Sequence, residues 1–286
     1  MILLNDICSS IRSVIENKLH ITEIILNGAF TGVRLDDGSM GVAMNVRSGT
    51  ASDAQTRQYL LSLIGNESFS AYEDLIKKAA LCAAGSAERF LINSVIVGLF
   101  NALSLPLMNE QRLLDKGYNV QAGTKDGLEK FMQPGETITI VGYGGMVRAL
   151  SKIAKQTFVT ELEPELFTSY RLNSAGIEKG PTSTTVIKSS NQDDCFSQSD
   201  RIFMTGSTLV TDTMDEILHS CRGKHIVVYG ATTAFLPEPL FSSGIESIHT
   251  MTVTNPELMI ELLLNCGGAV ERFFPMASES LHISKF

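Results

Sequence analysis

Three short turns rich in glycine and hydroxyl side chains carry the chemistry available to this sequence. The first, Gly142-Tyr143-Gly144-Gly145-Met146-Val147, follows the β-prone run Thr137 to Val141 and precedes a helical pattern. A buried strand that passes through glycines into a helix start brings free backbone N–H groups and a positive helix end to one point, which suits a nucleotide-like ligand. Glu161 closes the next β-prone run, 19 positions after Gly142. That is near the spacing of roughly 20 residues at which a carboxylate accepts hydrogen bonds from ribose hydroxyls in dinucleotide and adenosyl-cofactor folds. The third glycine of the dinucleotide pattern is replaced by Val147, which crowds helix against strand and weakens the case for a pyrophosphate. A glycine turn that only allows tight strand-to-helix packing is the plainer alternative.

The second turn, Thr205-Gly206-Ser207-Thr208, follows the run Arg201 to Met204 and continues through Thr211, Asp212 and Thr213. Hydroxyls and amides at the carboxyl end of a parallel strand form a polar patch, although helix capping by Thr211, Asp212 or Thr213 explains the same residues without a ligand. The third turn, Gly230-Ala231-Thr232-Thr233, ends the run Val227-Val228-Tyr229. Turns at carboxyl strand ends of one parallel sheet line one crevice. The expected ligand-binding set is therefore Gly142, Tyr143, Gly144, Gly145, Glu161, Thr205, Gly206, Ser207, Thr208, Thr211, Gly230, Ala231, Thr232 and Thr233.

No catalytic residue is identified. There is no GxSxG, and no Ser or Cys has a nearby His to activate it. His20, His219, His225, His249 and His282 show no HxH or HExxH spacing, and Gly223-Lys224 separates a helix end from a strand start between Cys221 and His225. No preformed zinc site is expected.

The elements that must position these turns follow from periodicity. Residues 2 to 19 carry Ile7, Ile11, Val14, Ile15 and Leu19 at helical spacing, with Asn5 or Asp6 available as cap. Thr22 to Leu26, Phe30 to Leu35 and Met40 to Val46 are β-prone, and Asp36-Asp37-Gly38 is a hairpin turn. Helices are expected near 52 to 64, 70 to 84 and 86 to 103, broken at Gly65-Asn66 and Gly85. Pro106 to Gly127 reads as a connection, with a short helix from 126 to 132. From Thr137 onward strands alternate with helices: strands at 138–141, 158–161, 201–205, 225–229 and 247–253, and helices at 146–155, 214–220 and 256–266. Such alternation predicts a mostly parallel sheet covered on both faces. The polar stretch from Tyr170 to Ser199 has one β-prone run, Thr184 to Ile187, and its length suggests a functional excursion or a flap. The fold class is α/β: an N-terminal α+β domain over 1–108, a connection over 109–134 and a sheet domain over 135–286.

Composition narrows the partners. With 23 basic against 31 acidic residues the formal charge is −8, which disfavours nucleic acid, since that binding needs clustered Lys and Arg. Five scattered cysteines without a CxxC pair suit a reducing cytoplasm. The N-terminus lacks the pattern of a secretory signal. The apolar window Phe90 to Met108 is broken by Asn93, Ser94, Asn101, Ser104 and Pro106, so it is expected to be a buried helix and no membrane partner is expected. A homo-oligomer stays open.

Three runs resemble one family: Ser199 to Thr213, Val228 to Thr233, and Leu236-Pro237-Glu238-Pro239-Leu240-Phe241. Together they look like the heavy-metal chelation family DUF364. Gly28 to Val46 and Asn101-Ala102-Leu103 resemble its usual partner, the enolase N-terminal-like DUF4213 domain. The resemblance covers nearly the whole chain and is weakest between about 165 and 198. It implies an enolase-N-like domain followed by a Rossmann-like domain, with a site in the cleft between them. It also implies a role in binding or making small heteroaromatic metal chelators, with a small molecule or a metal–chelator complex as partner. A competing reading makes the crevice a site for an S-adenosylmethionine-like cofactor in an enzyme of chelator synthesis. The chain departs from the family at Gly144-Gly145, where a bulky residue and Pro are usual, and at Gly230-Ala231-Thr232-Thr233, where Gly-Pro-Ser-Thr is usual. The hydroxyls are kept and the exact ligand is not carried over.

Overall fold

The computed structural model describes residues 2–46, 54–123 and 127–285. The first two residues of the helix expected over 52–64, and the first of that over 126–132, lie outside them. The N-terminal helix α1 (Ile2–Arg12) buries Leu3, Leu4, Ile7, Cys8 and Ile11. It stops well short of residue 19, because Val14 is left on the surface and adds nothing to the buried face. Neither Asn5 nor Asp6 caps it: the amides of Ile2 and Leu3 donate to the Asp215 carboxylate, 3.0 and 3.2 Å away.

Strands β1 (Ile21–Leu26), β2 (Phe30–Leu35) and β3 (Met40–Met44) form an antiparallel sheet in that order. Gly38, at φ +87°, makes the hairpin turn, and the Asp37 carboxylate accepts from the Ser39 amide and hydroxyl. Helices α2 (Ala54–Leu61), α3 (Ser68–Leu81) and α4 (Ala87–Ser104) follow. The Glu67 carboxylate and the Ser86 hydroxyl cap α3 and α4 by accepting from amides of their first turns. Every residue of α4 from Phe90 to Ser104 is buried, the mark of a helix surrounded by core rather than lying on a surface. The stretch Ala87–Leu107 is long and apolar enough to cross a membrane by composition, and 83% of its apolar window is buried inside the fold. Among its buried polar side chains, Ser94 pairs with Thr31 at 2.7 Å and the amide nitrogens of Asn93 and Asn101 donate to backbone carbonyls, while the Oδ1 atoms of both asparagines have no partner.

The expected connection holds two elements that periodicity missed, α5 (Glu110–Asp115) and β4 (Tyr118–Ala122). The chain then runs β5 (Thr137–Val141), α6 (Val147–Leu150), β6 (Gln156–Glu161), β7 (Ser169–Asn173), β8 (Gly176–Gly180), β9 (Thr185–Lys188) and α7 (Gln192–Gln198). It continues through β10 (Arg201–Thr205), α8 (Ser207–Val210), α9 (Met214–Ser220), β11 (His225–Tyr229), α10 (Glu238–Ser242), β12 (Ser247–Val253), α11 (Pro256–Asn265) and β13 (Ser278–Lys285). The helix expected over 146–155 shrinks to the single turn α6. The polar stretch after Tyr170 is built structure: a hairpin of β7 and β8, an edge strand β9 and helix α7.

Eight strands form the large sheet in the order β4-β13-β12-β11-β10-β5-β6-β9. The six from β12 to β9 are parallel, and β13 runs antiparallel to both β12 and β4. Ile202 and Met204 pack on one face with α8 and α9, while Phe203 and Val227 pack on the other with α6 and the 3-10 turn at 128–131. Both faces are therefore covered, which explains strands that read as continuous apolar runs rather than alternating ones. From β5 the chain moves outward to β6 and β9, and from β10 it moves the opposite way to β11 and β12. The order reverses between β5 and β10, and there the connections leave the carboxyl strand ends on opposite sides and open a crevice.

The small sheet lies between two helices far apart in sequence. α4 covers one face, and Met259, Leu262 and Leu263 of α11 cover the other against Ile25, Phe30, Met40 and Val42. One apolar core runs from Leu3 in α1 to Ile283 in β13 without a break at residues 109–134.

Candidate functional site

A cleft of about 530 Å³ opens where the strand order reverses. Gly142 begins its floor. At φ +89° it adopts a backbone that side chains avoid, and a Cβ there would meet Thr205 Cγ2 at 2.8 Å. Glycine thus lets the ends of β5 and β10 approach each other. Its amide donates to Thr160 O at 3.0 Å, and the Tyr229 hydroxyl donates to the carbonyls of Val141 and Gly142, both at 3.3 Å. Burial pushes the Tyr229 phenol above its usual range. Gly144 sits against Met146, whereas the position of a Cβ on Gly145 is open space facing the cleft.

Tyr143 stacks on Phe167 with ring centroids 4.7 Å apart and planes 14° apart. The pair makes a flat aromatic wall that could extend over a planar ligand. Glu161 stands beside it. One carboxylate oxygen accepts from the Tyr143 amide and the other from the Leu162 amide. Burial raises its pKa, against the lowering effect of those amides. The carboxylate therefore braces the glycine turn as well as facing the cleft.

The second turn contributes hydroxyls. Thr205 and Ser207 pair at 3.1 Å, Thr208 donates to Thr205 O at 2.8 Å, and Thr211 pairs with Thr213 at 2.9 Å. Asp212, between the last two, has φ +60°, rare for a residue with a side chain. Arg89, at the start of α4, holds it through an ion pair that is mostly buried. Gly206 is close to this wall without lining the cleft, and a Cβ there would meet Thr233 Cγ2 at 2.5 Å.

The third turn is placed elsewhere. Gly230, Ala231, Thr232 and Thr233 do not line the cleft. The Thr232 hydroxyl accepts from the Met44 amide, Asn101 donates to the carbonyls of Ala231 and Thr232, and the Thr233 hydroxyl donates to Gly230 O. These groups fasten β3 and α4 to the large sheet, which uses up the hydroxyls expected to meet a ligand. Of the fourteen expected residues, Gly142, Tyr143, Gly144, Gly145, Glu161, Thr205, Ser207, Thr208 and Thr211 line one cleft. Sequence reading missed Thr160, Phe167, Glu216, Tyr229 and Glu271, and also Met44 from the small sheet. Only Tyr229, the last residue before a glycine turn, had a local signal.

The cleft is acidic. Glu161, Glu216 and Glu271 line it, and no Lys or Arg does among the described residues. Among the described residues a pyrophosphate would meet no compensating side-chain cation. Nor do the described residues offer a preformed metal centre, since no three His, Cys, Asp or Glu side chains gather to hold an ion. Cys8, Cys82, Cys195 and Cys221 are buried, and burial raises each thiol, that of Cys221 to about 12. None of the four lines the cleft, so they are not placed to hold a metal there.

The family described as "Putative heavy-metal chelation", DUF364, matches residues 128–282, more than half of the chain. A crystal structure of a DUF364 protein of unknown function from Pyrococcus horikoshii is similar over 99% of both chains, at 19% identity and a TM-score of 0.71. Another, from Desulfitobacterium hafniense DCB-2, is similar over 99% of this chain and 98% of its own, at 14% identity and a TM-score of 0.70. At those identities the likeness establishes the shared fold. No curated protein matches the chain. The match over 128–282 contains the six parallel strands of the large sheet, both cleft turns and Glu161, and the chain belongs to the DUF364 family.

Proposed function

We propose that this chain is a cytoplasmic small-molecule-binding protein of metal homeostasis that holds a nucleotide-like or heteroaromatic compound in the cleft at the ends of β5 and β10. The observation that carries this reading is the stacked Tyr143–Phe167 wall beside the glycine turn: a flat apolar surface next to hydroxyls and open backbone suits a planar heterocycle with polar edges. The heavy-metal association of the family enters through the ligand, a chelator or its metal complex, because the described residues gather no three His, Cys, Asp or Glu side chains for a direct site. In this reading the N-terminal part is an enolase-N-like domain, the large sheet is Rossmann-like, and the cleft lies between them, with Met44 contributed by the small sheet.

A second reading has one specific observation in its favour. Glu161 ends the strand after the glycine turn and faces the cleft, where a ribose-binding carboxylate stands in adenosyl-cofactor folds. The protein would then use an S-adenosylmethionine-type cofactor in the synthesis of a small chelator.

Thermal unfolding with a panel of adenosyl, nicotinamide, flavin and pterin compounds tests both, since a ligand of the folded state raises the transition by mass action. A heterocycle that stabilises the protein, and loses that effect in Tyr143→Ala, supports the binding reading. Stabilisation by S-adenosylmethionine that vanishes in Glu161→Ala favours the enzyme. A flat response across the panel removes both.

A further inference from the structure

The cleft holds a second layer of information, the sign of charge it accepts. Glu216, in the first turn of α9, and Glu271, in the 3-10 segment after α11, both line it. Neither forms an ion pair among the described residues, in contrast to Glu136, Glu23 and Glu257, whose carboxylates meet arginines. Glu161 adds a third carboxylate, partly engaged by backbone amides. One residue earlier, Thr160 lines the cleft, is only 2% exposed, and carries a hydroxyl with no hydrogen-bond partner. Buried hydroxyls are mostly paired, and an occupant of the cleft would give this one a partner. Two thioethers, Met44 and Met146, and the Tyr143–Phe167 wall supply the apolar surface.

Glu216 and Glu271 are exposed residues of the lining, and a cation in the cleft would be attracted by them and by Glu161. A ligand of net negative charge would be repelled by them. We infer that the cleft selects a planar ligand carrying net positive charge over neutral and anionic ones of the same shape, with Glu216 and Glu271 as the charge-selecting side chains. This rests on the proposal that the cleft is a ligand site. Recognition then divides by region: the aromatic wall takes the ring, Thr160 and the Thr205–Ser207 hydroxyls take polar edges, and the two free glutamates take the charge.

The test is titration calorimetry with two matched pairs. S-adenosylmethionine and S-adenosylhomocysteine share the adenosyl group and differ by the sulfonium charge, while proflavine and fluorescein are a planar cation and a planar anion. The expected result is S-adenosylmethionine bound about tenfold tighter than S-adenosylhomocysteine, and proflavine preferred to fluorescein. Both preferences should fall below about threefold in the double variant Glu216→Gln/Glu271→Gln at an unchanged melting temperature. Should the double variant fail to fold, each single Gln variant is expected to lose about threefold of the preference.

Equal binding of the two adenosyl compounds, a preference for fluorescein, or a preference that survives the Gln substitutions overturns the inference while leaving the cleft a ligand site. Silence of both adenosyl compounds together with glutamate-dependent proflavine binding upholds charge selection and removes the nucleotide-like reading. If all four compounds are silent, both fall.

Discussion

Glu161 serves two masters, and its protonation ties them together. Its carboxylate braces Tyr143 through the backbone, yet burial holds its pKa above the usual carboxylate range. For an acid raised in the folded state, the folded protein binds the proton more tightly than the unfolded chain. The associated stability is present below the ordinary glutamate value and is lost as pH rises through the raised one. Glu161→Gln keeps an acceptor for the Tyr143 amide and removes the buried charge. It is expected to raise the melting temperature by about 1–2 °C at pH 8, with the gap closing below about pH 4.5, while S-adenosylmethionine binding weakens. A melting curve at each pH decides it, and a variant less stable than the parent at pH 8 would mean that the amide bonds outweigh desolvation. The position of Glu161 was legible because spacing reports the end of a strand. Phe167 was not, since a lone aromatic in a polar stretch carries no period, and only the fold brings it onto Tyr143.

Elements explain what residues alone cannot. The closest approach in the N-terminal part is between β3 and α4, where a Cβ on Gly41 would run into the backbone at Gly98 and Ala102. Backbone cannot yield as a side chain does, so Gly41→Ala should cost about 3 kcal/mol, measured by urea unfolding. A loss below about 0.5 kcal/mol would show that the helix can slide. At the opposite edge, β12 and β13 set His249 and His282 side by side, with ring centroids 6.3 Å apart. Burial, together with Lys130 and His249, lowers His282 to about 4, and Phe131 packs on its ring.

A histidine depressed in the folded state takes up its proton more readily when unfolded. The stability it contributes is present above about pH 6.5 and is lost as pH falls toward about 4, by at most about 3 kcal/mol. Stability should decline over that window, and His282→Gln should flatten the decline; an unchanged slope would place its origin elsewhere. Strands β5, β6, β10, β11 and β12 were legible because they are buried inside the sheet and their sequences read as β-prone runs. β4, β9 and β13 lie at or next to the edges of the same sheet. β9 showed as the β-prone run Thr184 to Ile187, whereas β4, with its mix of polar and apolar residues, is set by pairing rather than by pattern. The same reasoning accounts for α6: one turn of helix after a glycine cradle has no room for a period.

At the scale of the molecule, the parts depend on each other for closure. Asp215 caps α1, Arg89 of α4 holds the strained Asp212, Ser104 accepts from the Leu236 amide, and α11 covers the small sheet. Residues 1–108 produced alone should therefore fail to fold cooperatively, while the same segment mixed with residues 109–286 should recover a single transition by calorimetry. A sharp transition in the isolated segment would show that its core is sufficient without α11 and the Asp215 cap. The broad α/β reading and the mostly parallel sheet were legible from the alternation of periods. The sharing of one core was not, because contacts between Leu3 and α9 or between Phe30 and Phe274 leave no trace in local pattern.

The position of α11 has a consequence for how the chain is made. The ribosome releases the small sheet within the first 46 residues, but the helix that shields its second face arrives only after residue 256. For more than two hundred residues of synthesis, Ile25, Phe30, Met40 and Val42 have no permanent cover. Nascent β1–β3 is thus a window for chaperone engagement, and pausing late in translation would prolong it.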